Sequence, residues 1–469
     1  MPARPGDTVA AALWRQGVLA LGASRKRHRP LGLSGAYLQG ELVRVNGVPH
    51  MRAGTCEVSE GLDIRQQNVW PSARFNLLLL LRLLPDRAVR GGFERSMLFP
   101  GGTLRFQWWE RLLMLLAGEV SVDPHAESQP ALTGKAISVD VAVVGGGKSG
   151  REAANAAVLQ GKTVLLVTPS TTPGERSAAL GADLPPLDTK VQILHAHTVV
   201  GLYREGRVMV ASPHDGSRAP TVICAGDVIL ATGRRSCPPL LPGHDLPGVL
   251  DVYTAMRLAR MIGPALGSCV VVGTGSQHAA AAALRSLGVP VAAVASIKEL
   301  GAVLGRRRVT AVKLDARIIQ CVTLIHAGPW MSDPSLEFQA SATGALRLLA
   351  GEPPPSVVVI GDAARKDESV HWGDAKPNAH AAVCPCMDVT VGEISSLALA
   401  GERHMEVLKR ATGCGMGPCQ GFPCWAIMRA VLQHTCPGTD LSDRPSHRPP
   451  RGGLTVRQAA ALDGLVPLK

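Results

Sequence analysis

The segment from Val141 to Gly150 constrains the fold more than any other part of this chain. An apolar run, Val141-Ala-Val-Val, leads into Gly145-Gly-Gly147-Lys-Ser-Gly150, and an alanine-rich stretch follows. This is a G-x-G-x-x-G pattern between a strand and a helix, the context in which it is informative. The three glycines permit a tight turn, close approach of a pyrophosphate and close helix packing, and the helix N-terminus presents amides to phosphate. The pattern predicts a Rossmann-like dinucleotide-binding unit, with Gly145, Gly147 and Gly150 as cofactor-binding residues.

The next strand departs from this pattern. An acid that holds the ribose hydroxyls is expected about 20 residues after the glycine turn. Here the strand over 162–167 is followed by Thr168-Pro-Ser170, in which Thr168 or Ser170 could hydrogen-bond a ribose. FAD, NAD(P), another adenine nucleotide and a scaffold that has lost its cofactor therefore all remain open.

Two later strands end in turns that suit the same unit. Residues 228–230 lead into Ala231-Thr232-Gly233, and residues 357–360 lead into Gly361-Asp362. An aspartate at such a turn could accept a hydrogen bond from a ribityl hydroxyl, and a following helix N-terminus could face phosphate. Thr232, Gly233, Gly361 and Asp362 are predicted to be cofactor-binding residues.

A second glycine turn, Gly273-Thr-Gly275-Ser-Gln-His278, also follows an apolar strand and precedes an alanine-rich stretch. His278 stands where the third glycine would allow close helix packing. This predicts a nested second dinucleotide domain, at about 265–350, with an imperfect phosphate loop. The alternation of short strands and helices predicts an α/β fold with parallel sheets.

The cysteines cluster near the C-terminus. Six of the 11 follow residue 383, and five of them lie in Cys384-Pro-Cys386 and in Cys414-Gly-Met-Gly-Pro-Cys419-Gln-Gly-Phe-Pro-Cys424. Two close groups of thiols separated by a helix-sized interval suit a four-thiolate [2Fe–2S] cluster. Zinc also accepts four thiolates and is the main rival, although C-x-C spacing is less usual for zinc. Five cysteines compete for four places.

The rest of the chain predicts less chemistry. Near the N-terminus we expect a helix over 9–16 capped by Asp7 or Thr8, strands over 42–45 and 55–58 with an Asn46-Gly47 turn, and helices over 75–84 and 106–116. The net charge is +12 and aromatic residues are only 3% of the chain. Single-stranded nucleic-acid binding relies on aromatic platforms, so we expect no nucleic-acid partner. We also expect no membrane span and a cytoplasmic location, since no apolar run is long enough.

Taken in order, these motifs resemble the α (electron-transfer) subunits of multi-subunit amine and imino-acid dehydrogenases, such as those of sarcosine oxidase, opine oxidase, hydrogen cyanide synthase and hydroxyproline dehydrogenase. The start Gly6-Asp7-Thr8 with Arg27-His-Arg-Pro30, the A-T-G and G-D-A-A turns and the string around Cys419 carry the resemblance. It implies a two-dinucleotide-domain flavoprotein fold at 131–375. It also implies a degenerate ferredoxin-like domain with a helical connector at 1–130, a small helical [2Fe–2S] domain at 376–440 and an extended tail at 441–469.

The resemblance also implies a function. FAD would bind at the glycine turns and at Asp362, and the [2Fe–2S] cluster would bind Cys384, Cys386, Cys419 and Cys424, with Cys414 as a spare. A partner flavoprotein β subunit of the D-amino-acid-oxidase-like type would oxidise the amine, alongside a small ferredoxin-like subunit. Electrons would pass through this chain, which would carry no catalytic residue, to an acceptor. The alternatives are a structural or regulatory subunit with a degenerate flavin domain and an independent NAD(P)H-dependent reductase.

Overall fold

The structure is a computed structural model of the 469-residue chain. It describes the following residues: 3–24, 26–72, 75–83, 107–108, 111, 130–203, 208–213, 218–341, 356–371, 378–441, 445–452 and 454–465.

The N-terminal domain begins with a capped helix, α1 (Val9–Arg15), because the Thr8 hydroxyl accepts a hydrogen bond from the Ala11 amide. Five strands and two 3-10 helices follow: β1 (Ala20–Ala23), β2 (Pro30–Gly32), β3 (Leu42–Val45), β4 (Val48–Arg52), β5 (Ile64–Gln66), Leu38–Glu41 and Leu77–Leu83. Asn46 and Gly47, both at positive φ, join β3 directly to β4. The expected strand over 55–58 is therefore wrong, since β4 takes its place. The expected helix over 106–116 lies almost wholly outside the described residues.

The first α/β unit is built on a seven-stranded sheet. Six of its strands and its helices are β6 (Lys135–Val144), β7 (Val164–Val167), β8 (Gln192–Leu194), β9 (His197–Tyr203), β10 (Val208–Pro213), β11 (Thr221–Leu230), α2 (Lys148–Leu159) and α3 (Glu175–Ala179). The order is β8-β7-β6-β11-β10-β9, and the first four strands run parallel. The apolar run at the end of β6 is buried throughout, as expected for a parallel strand covered on both faces.

A second α/β unit is inserted before the first sheet is completed. Its elements are β12 (Arg234–Ser236), β13 (Val249–Asp251), α4 (Val252–Ile262), β14 (Cys269–Gly273), α5 (Gln277–Ser286), β15 (Val291–Ser296), β16 (Leu300–Gly305), β17 (Val309–Leu314), β18 (Arg317–Gln320), β19 (Thr323–Ala327), β20 (Trp330–Ser332), α6 (Ser335–Ser341) and the 3-10 helices Gly263–Leu266 and Ile297–Glu299. Four strands form a parallel sheet in the order β13-β19-β14-β15. This sheet includes β13, which precedes the expected start of the nested domain near 265. The chain then returns to the first sheet through β21 (Val357–Val359), parallel to β11.

The C-terminal region is mostly helical. It contains the 3-10 helix Gly361–Ala364, β22 (Ala382–Cys384), β23 (Val389–Thr390), α7 (Val391–Leu399), α8 (Met405–Thr412), α9 (Cys424–Thr435) and α10 (Val456–Ala460). A capping box between Thr390 and Glu393 starts α7, and another between Thr455 and Gln458 starts α10. Helix α10 therefore interrupts the tail that was expected to be extended. Within the described ranges, no helix combines the length and apolar character needed to cross a membrane.

Candidate cofactor sites

Three parallel strand ends meet at one edge of the first sheet. In the sheet register, Leu230 at the end of β11 pairs with Val144 of β6 and with Val359 of β21. The first glycine turn, the Ala231-Thr232-Gly233 turn and Gly361-Asp362 therefore leave the sheet side by side. The carboxyl edge of a parallel sheet is where ligands bind in open α/β folds. The predicted nucleotide-site residues are thus brought together.

The first glycine turn has the geometry that the sequence predicts. Gly145 lies at φ +113, and an added Cβ would overlap the carbonyl oxygen of Ala231. A Cβ on Gly150 would overlap the carbonyl oxygen of Gly145, so the helix can pack this closely only with glycine there. Gly147 is the N-cap residue of α2 and has no side chain to occupy the first amides of the helix. Those amides suit the pyrophosphate of a bound dinucleotide.

The ribose end of the site differs from the usual pattern. Thr168, which follows β7, is buried, and its hydroxyl accepts a hydrogen bond from the Ser170 amide at 3.4 Å. Ser170 is half-buried and is the more accessible of the two hydroxyl residues. Of the two predicted ribose partners, Thr168 is therefore already engaged in local structure. Ribose recognition falls to Ser170 or to backbone groups.

Asp362 shares its surroundings with an arginine and a tyrosine. Its carboxylate lies 3.1 Å from the Arg365 guanidinium, and both side chains are more than half exposed. Burial raises the pKa of Tyr253 to about 12, and Asp362 adds to this increase while Arg176 opposes it. The Arg176 guanidinium lies 5.4 Å from the Tyr253 ring centroid. Asp362 and Arg176 therefore both face Tyr253, at the base of the second α/β unit.

The second glycine turn is occupied by the chain's own side chains. The Gly275 amide donates to the Gln277 side-chain oxygen at 2.7 Å. The neighbouring Thr274 hydroxyl donates to the Glu368 carboxylate, also at 2.7 Å. An amide that is already paired and a carboxylate beside it do not suit a pyrophosphate. This turn, as folded, does not fit NAD(P).

Four of the predicted thiols lie close together. The Sγ atoms of Cys386 and Cys419 are 3.8 Å apart, and those of Cys419 and Cys424 are 3.9 Å apart. Cys384 joins this group, which is called the thiol ring below, because hydrogen bonding with Cys386, Cys414 and Cys424 lowers the pKa of Cys384. Cys414 is linked to the group through Cys384, which is the largest cause of the raised pKa of Cys414. All five side chains are at most 4% exposed.

The buried thiols shift one another's pKa values in opposite directions. Hydrogen bonds from Cys386, Cys414 and Cys424 lower the pKa of Cys384, and those from Cys386 and Cys424 lower the pKa of Cys419. Hydrogen bonding to Cys384 correspondingly raises the pKa of Cys386, Cys414 and Cys424. The Gly415 amide also donates to Cys384 Sγ at 3.4 Å. Two thiols are therefore stabilised as thiolates, the form that binds metal.

The ring fits a thiolate-held metal group after small side-chain rotations. Two thiolates about 2.3 Å from one tetrahedral metal are about 3.8 Å apart, which matches the neighbouring sulfurs. In the part of the chain that the structure describes, no three His, Cys, Asp or Glu side chains are already turned around a common metal position. The sulfurs instead touch one another, as free thiols do.

Glycines shape the loop that carries Cys419. Gly421 lies at φ +94, and a Cβ there would overlap the Trp425 ring. A Cβ on Gly417 would approach Cys386 Cβ to 2.8 Å. The Trp425 indole donates to the Cys414 carbonyl at 2.9 Å, which anchors the loop on α9. The loop therefore closes tightly over the thiol of Cys386.

The loop between Cys419 and Cys424 also contacts β12, at the start of the second α/β unit, and the C-terminal tail. The Arg235 guanidinium lies 5.5 Å from the Phe422 ring centroid, and that of Arg451 lies 5.8 Å from it. Arg235 comes directly after the Thr232-Gly233-Arg234 turn, and Arg451 pairs with Asp333. Arg235 and Phe422 thus join the nucleotide edge to the thiol ring. Neither carried a sequence signal, since their contact spans nearly 190 residues.

The N-terminal domain contacts the C-terminal region through hydrogen bonds and an ion pair to Asp388. Asp388 Oδ2 accepts hydrogen bonds from the amides of Lys26 and Arg27 at 2.7 and 3.0 Å. Its other oxygen lies 3.6 Å from Arg29, which also pairs with Asp245 at 3.0 Å. Asp388 is fully buried and lies two residues after Cys386. The two ends of the chain are therefore joined beside the thiol ring.

Comparisons with known proteins agree with this architecture. Residues 139–346 match the family described as pyridine nucleotide-disulphide oxidoreductase, and residues 1–69 match the family described as 2Fe-2S iron-sulfur cluster binding domain. Sarcosine oxidase subunit alpha of Rhizobium meliloti (strain 1021) is 29% identical over 329 residues, which cover 62% of this chain and 32% of that protein. The chain is a homologue of that subunit. It spans about a third of the length of this curated relative.

A solved structure shows the same fold. The crystal structure of L-proline dehydrogenase from P. horikoshii has a TM-score of 0.69 and 19% identity, and the match covers 97% of this chain and 94% of that chain. The predicted fold class is confirmed, because this chain has the α/β fold of flavoprotein oxidoreductases. Residues 139–346 thus match a family of oxidoreductases.

The two family matches imply FAD and a [2Fe–2S] cluster. The strand-end turns fit the first, as described above. The [2Fe–2S] cluster does not fit residues 1–69, which match the 2Fe-2S family, because Cys56 is the one cysteine in that segment. Such a cluster takes four protein ligands. The buried thiols after residue 383 fit it instead. In this chain, the segment that matches the ferredoxin-like family and the clustered cysteines therefore lie in different parts of the sequence.

Proposed function

We propose that this chain is the electron-transfer subunit of a multi-subunit amine or imino-acid dehydrogenase of the sarcosine, opine, proline or hydroxyproline type. FAD binds the first glycine turn and the two neighbouring strand ends, and a [2Fe–2S] cluster binds Cys384, Cys386, Cys419 and Cys424. When bound, the flavin and the cluster supply the redox-active groups that relay electrons from a partner to an acceptor.

One observation carries this proposal: the thiol ring and the nucleotide edge lie on one chain and are joined by Arg235 and Phe422. The guanidinium is 5.5 Å from the ring centroid, so this contact links the two sites. Phe422 lies between two of the proposed ligands, Cys419 and Cys424. Two sites that are linked by a direct contact within one chain suit electron transfer between the groups they would hold.

The residues of the nucleotide edge have separable tasks. Gly145, Gly147 and Gly150 let the backbone approach the pyrophosphate. The turns at Thr232-Gly233 and Gly361-Asp362 line the same edge, and Asp362 offers a carboxylate to a ribityl hydroxyl. Thr168 stands in the place of the ribose acid, so the adenosine ribose of FAD would be bound by Ser170 or by backbone groups.

The proposal includes partners. A flavoprotein β subunit of the D-amino-acid-oxidase-like type would oxidise the amine, and a small ferredoxin-like subunit would complete the complex. The name of the homologue, a subunit of sarcosine oxidase, supports an assembly of several chains. Within this chain we propose four parts: 1–130, 131–375 with the nested domain, 376–440 for the cluster and 441–469 as a tail.

The experiment is anaerobic purification of the full chain, with absorption spectroscopy and analysis of iron, zinc and flavin. We expect about two irons per chain and a flavin band. Iron without flavin would leave the nucleotide edge as a scaffold. Zinc, or no metal, would refute the electron-transfer function in favour of a structural subunit. Reduction of an acceptor by NAD(P)H with the isolated chain would instead support an independent reductase.

A partner test is independent of the cofactor analysis. Co-expression with a candidate flavoprotein β subunit of the D-amino-acid-oxidase-like type, followed by size-exclusion chromatography, should give a complex that reduces an artificial acceptor when sarcosine, proline or hydroxyproline is added. The same complex with Cys419→Ser should still oxidise the substrate at the partner's flavin but should no longer pass electrons to the acceptor.

A further inference from the structure

Tyr37 of the N-terminal domain has a buried hydroxyl beside the thiol ring. The residue lies just before the 3-10 helix Leu38–Glu41 and is 4% exposed. Among the residues that the structure describes, no group hydrogen-bonds its hydroxyl. A buried hydroxyl without a partner costs free energy, so such a group calls for an explanation.

The surroundings of this hydroxyl point to sulfur. Tyr37 packs in the same buried cluster as Cys384, Cys386 and Cys424. The largest cause of its raised pKa is burial, and the next is the charge of Cys424, followed by Cys237 and Cys384. Tyr37 and Pro385, which lies between two of the ring cysteines, line one cavity of about 10 Å³. Tyr37 and the thiols of Cys384 and Cys424 therefore lie in one buried part of the core, with Pro385 of the C-P-C segment on the same cavity as the tyrosine.

His244 is the competing acceptor. It lines the same cavity, and its Nδ1 lies 2.8 Å from the Leu241 carbonyl, which leaves Nε2 as the acceptor nitrogen. However, the ring centroids of Tyr37 and His244 are 6.4 Å apart at an angle of 59°, and no hydrogen bond joins them. The cavity is close to the size of one water molecule, so a bound water is the other competitor.

We propose that Tyr37 donates its hydroxyl hydrogen bond to the sulfur face at Cys384 and Cys424 when the cluster is bound, and that the N-terminal domain thereby raises the cluster's reduction potential. This inference rests on the proposed function. Reduction adds one electron and makes the sulfurs more negative, and a hydrogen bond to sulfur stabilises the reduced state more than the oxidised state. The phenol keeps its proton throughout. The N-terminal domain thus serves a cluster that it cannot hold itself.

The test compares tyrosine variants of the iron-loaded full chain. The chain has only three tyrosines, and Tyr203→Phe is the matched control because it removes the same hydroxyl from β9, outside the buried cluster of the thiols. Midpoint potentials are measured by anaerobic titration followed by electron paramagnetic resonance of the reduced cluster. We expect Tyr37→Phe to shift the reduction equilibrium about tenfold toward the oxidised state, which is about 59 mV for a one-electron couple. Tyr203→Phe should leave the potential unchanged.

A second measurement avoids any packing change. Wild-type chain and Tyr37→Phe are both prepared with 3-fluorotyrosine, whose hydroxyl is a stronger donor. The potential should rise in the wild-type chain and should not change in the Tyr37→Phe variant.

The outcomes separate this inference from the proposed function. A wild-type chain that binds no iron overturns both. An iron-loaded wild type whose potential matches that of Tyr37→Phe, or does not respond to fluorotyrosine, overturns only the inference and assigns the hydroxyl to His244 or water. If Tyr37→Phe fails to fold, the response of the wild-type chain to fluorotyrosine decides the matter.

Discussion

Replacing Asp388 separates two contributions of its side chain, its charge and its capacity to accept hydrogen bonds. Burial raises the pKa of Asp388 above its ordinary value, even though the amides of Arg27 and Lys26 oppose this. A raised carboxylate pKa means that folding favours the neutral form, so removal of the charge should not by itself destabilise the chain. The two backbone amides, in contrast, need an acceptor.

The expected magnitudes follow from this geometry. Asp388→Asn keeps an acceptor and tolerates φ +54, so the free energy of unfolding should stay within about 1 kcal/mol of wild type. Asp388→Ala leaves two buried amides unpaired, at about 1.5 kcal/mol each. It also places alanine in the left-handed region, at about 1 kcal/mol. We therefore expect a loss of about 4 kcal/mol.

Urea unfolding followed by circular dichroism measures both variants. Asp63→Ala is the control, because its carboxylate pairs only with Arg65 on the surface at 3.0 Å and should change stability by less than about 0.5 kcal/mol. If Asn destabilises the chain as much as Ala, the charge matters and the reasoning is refuted. If neither variant has an effect, the contact between the two ends of the chain does not form in solution.

Three further predictions concern the cofactor sites and pH. Cys414→Ser should keep the iron of the wild type while Cys419→Ser loses it, as iron analysis would show, because only Cys419 belongs to the ring; loss of iron in both would refute this ligand set. Gly150→Ala should reduce bound flavin in the purified chain several-fold, because its Cβ would overlap the Gly145 carbonyl oxygen; full flavin content would contradict the proposed turn. Burial lowers the pKa of His326 to about 4, from about 6.5 in the unfolded chain, so stability should fall by about 3 kcal/mol as pH drops from 6.5 to 4. In a plot of the urea midpoint against pH, His326→Asn should reduce the fall between pH 6.5 and pH 4. An unchanged plot would rule out His326 as the cause of that fall.

The sequence predicts those features that depend on local backbone geometry. The glycine turn at Gly145 and the cap at Thr8 depend on residues a few positions apart, so the pattern alone reveals them. The same applies to the Thr455 and Gln458 capping box, which is a local signal. Residues 55–58 do not form a strand because both edges of β3 are already paired, one with β4 through the Asn46-Gly47 hairpin and the other with β5.

Contacts between distant segments were beyond such reasoning. Asp388 meets the Lys26 amide across more than 360 residues, and Tyr37 approaches Cys384 across almost 350. Nothing in the local pattern of either residue sets it apart from an ordinary surface aspartate or core tyrosine. The site's composition, its glycines and cysteines, could be predicted, but the residues that enclose it could not.

The burial of the thiol ring has a consequence for how the protein matures. A metal ion cannot reach Cys384 or Cys424 while their side chains are sealed from solvent, so iron and sulfide must be inserted before the C-terminal domain closes. Lys26 and Arg27, whose amides bind Asp388, are synthesised near the start of the chain, hundreds of residues before the cysteines emerge. The Asp388 contact and the burial of the thiols occur together in the folded chain. A chain that folds before iron arrives must therefore reopen this contact before its thiols can bind metal.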